Sequence, residues 1–241
     1  MAPVPRLDLA PGIVHVWRIR LDLPEELLAQ IEAVLAPDEL ARADRFKRPG
    51  VRSRFVAGRG SLRNILGAQV CHDPAALVFR YGLHGKPSLA VPDGTGLEFN
   101  LTHSGDLALC ALTIGRAMGV DVEQLRPMTE AERIIDRYFT EREQAAFLRH
   151  GPDDRPSAFF RGWTRKEAFL KVTGDGLTRP LDSFEVDLDD RPTGLLLRVG
   201  DDPDAASRWS LVDINAGPGY IAALAVEGPL DRLTVDDWPV G

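Results

Sequence analysis

The chain has 241 residues, enough for one large domain or two modest ones. Its 44% hydrophobic and 27% charged content is that of an ordinary soluble globular protein, and its net charge of −7 argues against a general nucleic-acid or anionic-membrane binder. No apolar run approaches the length of a bilayer span, and no N-terminal segment has the pattern of a secretory signal, so a cytoplasmic protein is expected.

Residues 13 to 19 alternate as a short strand with Val14, Val16 and Ile19 apolar. Leu23-Pro24-Glu25-Glu26 carries the proline and acids of a helix start, and a second helix begins near Pro37-Asp38-Glu39 and ends before Pro49-Gly50. A third runs from about Val51 to Leu66, with Phe55, Leu62 and Leu66 on one stripe. Arg59 falls close to that stripe, either as a satisfied buried arginine or as an inward-facing phosphate ligand. It belongs to a basic stretch running from Arg42 through Arg45, Lys47, Arg48, Arg52 and Arg54 to Arg63, in which Asp44 is the single acid. That stretch suits either a solvated basic face or a phosphate-rich ligand.

Leu77 to Tyr81 reads as a strand, and Leu97 to Thr102 and Leu107 to Ile114 as two more, joined by the turn His103-Ser-Gly-Asp106. Met118 to Val122 is another short strand. From Glu130 the pattern turns helical, and Thr140-Glu-Arg-Glu143 is a capping-box start for the next helix. Asp153 to Pro156 reads as a polar loop before a helix over Phe159 to Lys171. Strands follow near Phe184 to Leu188, Leu195 to Val199, Trp209 to Ile214 and Tyr220 to Val226. The alternating runs Leu107-Ala-Leu-Cys-Ala-Leu112 and Tyr220-Ile-Ala-Ala-Leu-Ala225 each follow a glycine-containing turn, which suggests two similar halves. Cys71 and Cys110 match no metal or redox spacing and lie near apolar runs, so both are expected to be buried reduced thiols.

Three acids carry the chemical signal. Asp121 and Glu123 in Gly119-Val-Asp-Val-Glu123 are two apart in an extended run, so both point to one side and Val120 and Val122 to the other. At about 6 Å and an effective dielectric of about 20, two such carboxylates repel by roughly 3 kcal/mol. A hard divalent cation removes that cost, and Mg²⁺ is usually held by one or two carboxylates together with substrate phosphates. Glu167, in Trp163-Thr-Arg-Lys-Glu-Ala-Phe-Leu-Lys171, falls between Phe160 and Trp163 on the apolar stripe of its helix, where a carboxylate is costly unless paired or bound to a cation. Lys171, one turn on, flanks the same edge. An ordinary Glu167–Lys171 helix pair, with Asp121 and Glu123 ending a strand in solvent, is the plainer alternative.

This ordered pair of motifs resembles the signature of the 4′-phosphopantetheinyl transferases, and is most similar to their two-lobed monomeric type. Further matches lie in order along roughly residues 14 to 227. They are Ala36-Pro-Asp-Glu-Leu-Ala-Arg42 with Arg45-Phe46, Gly58-Arg-Gly-Ser-Leu-Arg63, Gly85-Lys-Pro87, Phe99-Asn-Leu-Thr-His-Ser-Gly105, Gly174-Asp-Gly-Leu177 and Pro218-Gly-Tyr220. The resemblance implies an α+β fold of two similar lobes related by a pseudo-twofold. One lobe would span residues 1–117 and contact the coenzyme A nucleotide, and the other, residues 118–241, would carry the metal-binding and catalytic acids, with the active site in the cleft between them.

It also implies transfer of the 4′-phosphopantetheine arm from coenzyme A to a serine of an apo acyl or peptidyl carrier protein, with Mg²⁺, releasing adenosine 3′,5′-bisphosphate. Carried over residue by residue, Asp121, Glu123 and Glu167 are the metal ligands. Glu167, or a water it orients, is the candidate general base, and Lys171 offsets charge on the diphosphate. Arg42, Lys86, Thr102 and His103 face the coenzyme, with Thr102 keeping a hydroxyl where the family usually has serine. Glu39 stands where some members carry a lysine, which puts one nucleotide contact in doubt. A Mg²⁺-dependent nucleotide phosphohydrolase and a non-catalytic coenzyme A-binding protein are the rival readings. A complete two-lobed site in one chain makes a monomer the simplest expectation.

Overall fold

The computed structural model describes residues 5–48, 50–82, 85–174, 179–191 and 194–238. The chain opens with β1 (Ile13–Arg20), α1 (Glu25–Glu32), α2 (Pro37–Ala43) and the long α3 (Val51–Val70). Next come the hairpin β2 (Val78–Tyr81) and β3 (Pro87–Val91), then β4 (Leu97–Ser104) and β5 (Leu107–Ile114). The same order then recurs: β6 (Met118–Gln124), α4 (Ala131–Tyr138), α5 (Glu141–Arg149), α6 (Arg155–Thr173), the hairpin β7 (Phe184–Val186) and β8 (Leu196–Val199), then β9 (Trp209–Ile214) and β10 (Tyr220–Glu227). β11 (Arg232–Asp237) ends it. The fold is mixed α+β, as the sequence suggests.

Two sheets form the centre, in the orders β11-β1-β5-β4 and β6-β10-β9. The period-two alternation of each strand decides what it covers. Val14 and Val16 of β1 and Leu107, Leu109 and Ala111 of β5 meet Val120 and Val122 of β6 and Ala222 and Leu224 of β10 in one core between the sheets. On the outer face of the first sheet, Trp17, Ile19, Cys110 and Leu112 pack on Leu62, Ile65 and Leu66 of α3. On the outer face of the second, Ala223 and Ala225 pack against Ala168 and Phe169 of α6. Both faces of each sheet are thus covered, which is why β5 is buried almost from end to end.

Two helix starts build matching interior nodes. Thr140 and Glu143 form the expected capping box, with Thr140 N–H donating to Glu143 Oε2 at 2.8 Å and Glu143 N–H to Thr140 Oγ1 at 3.3 Å. Glu143 Oε1 also pairs with Lys166 Nζ at 2.8 Å, both side chains being essentially inaccessible. Lys166 Nζ donates further to the carbonyls of Leu181 (2.7 Å) and Phe184 (2.9 Å). At the start of α2, Ala36 N–H donates to Glu39 Oε2 at 2.9 Å, and Ala36 offers no side-chain oxygen in return. Buried Glu39 accepts from Arg59 Nε and, at 2.6 Å, from Arg63 Nε. Arg63 Nη1 runs on to the carbonyls of Pro74 (2.8 Å) and Leu77 (3.0 Å).

The structure changes several local expectations. α6 begins at Arg155, because a proline in the first helical turn gives up an N–H that has no intrahelical partner anyway. It is also buried around most of its circumference, with Thr164, Arg165 and Lys166 at 0% exposure, in place of one apolar stripe. Arg165 is held there by Asp213, its Nε donating to Oδ1 at 2.9 Å. Cys110 is buried, its thiol pKa pushed up by burial, but Cys71 is exposed. Cys71 is the C-cap of α3, at φ 52°, and so lies past the packed turns of the helix. β3 opens on Pro87, which speaks against a strand, and β11 has only Leu233 and Val235 as apolar residues, so neither is expected; β11 pairs in parallel with β1.

Candidate functional site

β4 and β6 lie at the edges of their respective sheets and face each other across a seam without strand pairing. Side chains take over the outward-pointing backbone groups of β6 at alternate residues, as strand geometry requires. Lys86 Nζ donates to Met118 O at 2.8 Å. Val120 N–H donates to Asn100 Oδ1 at 2.9 Å, and Val120 O accepts from Lys171 Nζ at 3.0 Å. Gln124 N–H donates to Ser104 Oγ at 3.1 Å. Asn100, Thr102 and Ser104 share one face of β4, so the strand delivers an amide and two hydroxyls to this seam in order.

The acids project beside it. Asp121 Oδ1 accepts from Lys171 Nζ at 2.6 Å and from Thr102 Oγ1 at 3.2 Å. Ser104 Oγ donates to Glu123 Oε2 at 2.8 Å. Asp121 is 6% exposed, and burial raises its pKa against the opposing influence of Lys171. Glu167 is half-buried; burial raises its carboxyl first, the neighbouring Asp121 charge adds to that, and Lys171 opposes. The three acids and Lys171 therefore share one electrostatic neighbourhood. Gly119 makes this possible: a Cβ there would stand 2.3 Å from the Ala168 carbonyl and 2.7 Å from Lys171 Cβ, so only glycine lets β6 lie this close to α6.

The donor set suits a hard divalent cation, because Asp121 Oδ2 is buried with no hydrogen-bond partner among the described residues. The carboxylates do not already converge into a three-ligand group among those residues; Lys171 supplies the positive charge on Asp121.

His103 stands exposed at the end of β4. The surrounding cleft walls first, and then Lys171, lower its pKa, while Glu123 opposes. β4 runs through His103 to Ser104, where the sequence suggests a turn, and the turn after it is held at Asp106: Arg54 Nε donates to Asp106 Oδ1 at 2.6 Å, and Asp106 N–H donates to Tyr220 Oη at 3.3 Å. His103 borders a cavity of about 860 Å³ together with Arg42, Phe46, Arg59, Tyr81 and Gly85. Arg42 is exposed, its guanidinium 5.3 Å from the Phe55 ring centroid. Lys86, between cavity-lining Gly85 and Pro87, is half-buried, and its ammonium also donates to Lys171 O at 3.2 Å.

The second half of the basic stretch is consumed by pairing. Arg52 bonds Glu32 and Asp44, Arg54 bonds Asp106, and Arg59 and Arg63 share Glu39. Arg59 is thus a satisfied buried arginine, also donating to Tyr81 Oη at 2.6 Å and lying 4.1 Å from the Phe79 centroid. Of Gly174-Asp-Gly-Leu177, residues 175–177 lie outside the described residues. Asn100 and Ser104 are named in the sequence motifs, and Arg54 in the basic stretch, but none is given a role of its own there; the alternation of polar residues along β4 was the available signal for the first two.

The model of the 4′-phosphopantetheinyl transferase superfamily matches residues 117–225, which contain every acid of the site. The chain is 43% identical over 226 residues to the 4′-phosphopantetheinyl transferase HetI of Nostoc sp., covering 93% of this chain and 92% of that protein. It belongs to the 4′-phosphopantetheinyl transferase superfamily. A second relative of this transferase is Sfp of Bacillus subtilis, also a 4′-phosphopantetheinyl transferase, at 28% identity over 90% of this chain and 93% of that one. A putative 4′-phosphopantetheinyl transferase of Synechocystis sp. is 34% identical over 68% of the chain. In the transferase the family match begins at Ala117, one residue before the edge strand that presents Asp121 and Glu123.

Proposed function

We propose that the β4–β6–α6 seam is where this transferase moves the 4′-phosphopantetheine arm of coenzyme A onto a serine of an apo acyl or peptidyl carrier protein. The observation that carries the reading is Asp121: a buried carboxylate with one oxygen on Lys171 and the other without a partner among the described residues, beside Glu123 and Glu167. Asp121, Glu123 and Glu167 would hold Mg²⁺, which when bound neutralises the diphosphate and the charge that builds on the leaving group.

The chain's own groups supply the rest. Lys171 lies where its ammonium can shift from Asp121 toward a phosphate oxygen. Glu167, half-buried beside Asp121 and Lys171, or a water it orients, would take the serine proton. Thr102 fixes one oxygen of Asp121 and presents its hydroxyl to the same space. Arg42 and His103 border the 860 Å³ cavity and would meet the nucleotide end of coenzyme A. Glu39, committed to Arg59 and Arg63, is part of the cavity wall and not a phosphate ligand.

The repeated element order, the matching strand pairings and the matching Glu39 and Glu143 nodes support two lobes related by a pseudo-twofold. The first would reach to about residue 117 and the second begin at 118, with β11 crossing back to close the first sheet. A site complete within one chain is consistent with a monomer.

Incubation with coenzyme A, Mg²⁺ and an apo carrier protein, followed by intact mass, tests the reading. The carrier is expected to gain one phosphopantetheine. Release of phosphopantetheine without a carrier would instead mark a hydrolase, and binding without turnover a non-catalytic protein.

A further inference from the structure

Lys86 lies on the segment leading into β3, in the first half of the chain, yet its ammonium ends on the second. It donates to Met118 O, on the unpaired edge of β6, and to Lys171 O, near the C-terminal end of α6. Those acceptors flank the crossing where Gly119 lets β6 touch α6, the crossing that sets Asp121 against Lys171 and Glu167. Lys171 O lies in the last turn of α6, where helical carbonyls lack intrahelical partners, and Met118 O lies on a strand edge without a neighbour. A single ammonium with several donors satisfies both. Its half-buried stem lies between Gly85 and Pro87 of the 860 Å³ cavity wall, while its charge ends on those two carbonyls across the seam.

We propose that Lys86 is a positioning residue: it staples the end of α6 to the edge of β6 and thereby holds Lys171 and Glu167 in register with Asp121. The inference rests on the transfer reading for its catalytic consequence, but the staple itself is a statement about β6 and α6. It differs from a direct nucleotide contact, the role the family resemblance implies for this lysine, and the two roles separate experimentally. A staple acts on kcat, because a displacement of about 1 Å at reacting groups can cost on the order of 10²-fold. A contact to the nucleotide phosphate acts on KM for coenzyme A and is blind to ligands lacking that phosphate.

Lys86→Met and Lys86→Arg are compared with the parent using coenzyme A and dephospho-coenzyme A, Mg²⁺ and an apo carrier. Amide hydrogen exchange is followed over residues 118–124 and 166–173. Lys86→Met is expected to lower kcat about 10- to 100-fold with KM for either coenzyme within about threefold of the parent. It should also speed exchange in those two segments and leave β5 unchanged. Lys86→Arg, which keeps several donors, should restore most of kcat and the slow exchange; its failure to do so in a folded protein overturns the staple. A rise in KM for coenzyme A alone, at unchanged kcat and exchange, also overturns it and assigns Lys86 to the nucleotide phosphate. If Lys86→Met does not fold, the Arg variant and its exchange decide alone. Should the parent protein transfer nothing, the transfer reading fails, while the exchange result still stands or falls by itself.

Discussion

The two halves of the chain build the same interior node from different side chains. In the first, Glu39 at the start of α2 gathers Arg59 and Arg63, and Arg63 continues to the carbonyls of Pro74 and Leu77. In the second, Glu143 at the start of α5 holds Lys166, which continues to the carbonyls of Leu181 and Phe184. Over the site the halves part. Laying β5 on β10 by their alternating runs sets Cys110 on Ala223 and Ala108 on Ile221, whose strand partners are Trp17 and Ile19 in one half and Asp121 and Glu123 in the other. Laying Arg63 on Lys166 sets Asn64 on Glu167 and Ala68 on Lys171. A face that Trp17 and Ile19 close with core in one half carries the acids in the other. The frame folds without carboxylates at these positions, so their presence in the second half answers to chemistry.

That contrast breaks most sharply at Asp121. Asp121→Ala is expected to abolish Mg²⁺-dependent transfer while leaving the urea midpoint unchanged or higher, since it removes a buried charge from a position the other half fills with an apolar residue. A variant that keeps most of its activity in Mg²⁺ would show the site to be misassigned. Glu167→Gln comes next and separates two roles. If Glu167 is mainly the base, kcat falls by roughly 10²–10⁴-fold at any Mg²⁺ concentration. If it is mainly a ligand, the Mg²⁺ requirement rises and excess Mg²⁺ recovers much of the rate. The neighbouring carboxylates of β6, and the Asp121 oxygen that has no partner among the described residues, weight the expectation toward the ligand role.

The shared nodes give the next effect, on stability. Lys166→Met leaves Glu143 buried and unpaired, and a loss of about 3–5 kcal/mol in urea unfolding is expected. Adding Glu143→Leu should recover much of it, because an apolar pair of similar volume often replaces a buried ion pair without loss. Arg63→Met should cost less, about 1–3 kcal/mol, because Arg59 still accompanies Glu39. Equal losses in the two halves would mean that Arg59 does not share the charge of Glu39.

Much of this was legible in the sequence, for reasons that differ by element. The acid pair showed because Asp-Val-Glu in an extended run sends both carboxylates to one side; β6 is such a strand, although Asp121 is buried along with its valine neighbours. The box at Thr140 showed because threonine and glutamate are both written in the chain; its counterpart at Glu39 did not, because the N-cap is Ala36. Glu39 therefore resembled a ligand position with the wrong charge, when its fixed partners lie 20 and 24 residues away on α3. The alternation along β4 puts Asn100, Thr102 and Ser104 on one face, but that they complete the edge of β6 could not be read, since a gap between two sheets is a property of their packing and not of any strand. For the same reason the stripe on α6 was too narrow: Arg165 and Lys166 count as polar in a helical projection, yet Asp213 and Glu143 take them fully inside.

The smallest effect expected is a pH dependence whose sign depends on the cation. Burial lifts Asp121 above its ordinary 3.8, Lys171 opposes and Glu123 adds to the rise. A raised folded value means that the folded chain holds this proton at a pH where the unfolded chain has released it. Without Mg²⁺, the contribution of Asp121 to stability therefore increases as pH falls through the folded pKa, and the gain is complete below the unfolded value. With saturating Mg²⁺ the ionised carboxylate is the binding form, so the added stabilisation is present at neutral pH and shrinks over the same fall in pH. Asp121→Asn has no proton to exchange and should flatten both trends. Melting temperatures of the two proteins at pH 7 and pH 5, with and without Mg²⁺, give the comparison, and the difference between them isolates Asp121 from Glu167 and His103. If the two proteins move together in all four conditions, Asp121 is coupled to neither proton nor metal. It would then be a polar substitute for Trp17 held by Lys171, and the asymmetry between the halves would lose its chemical meaning at this position.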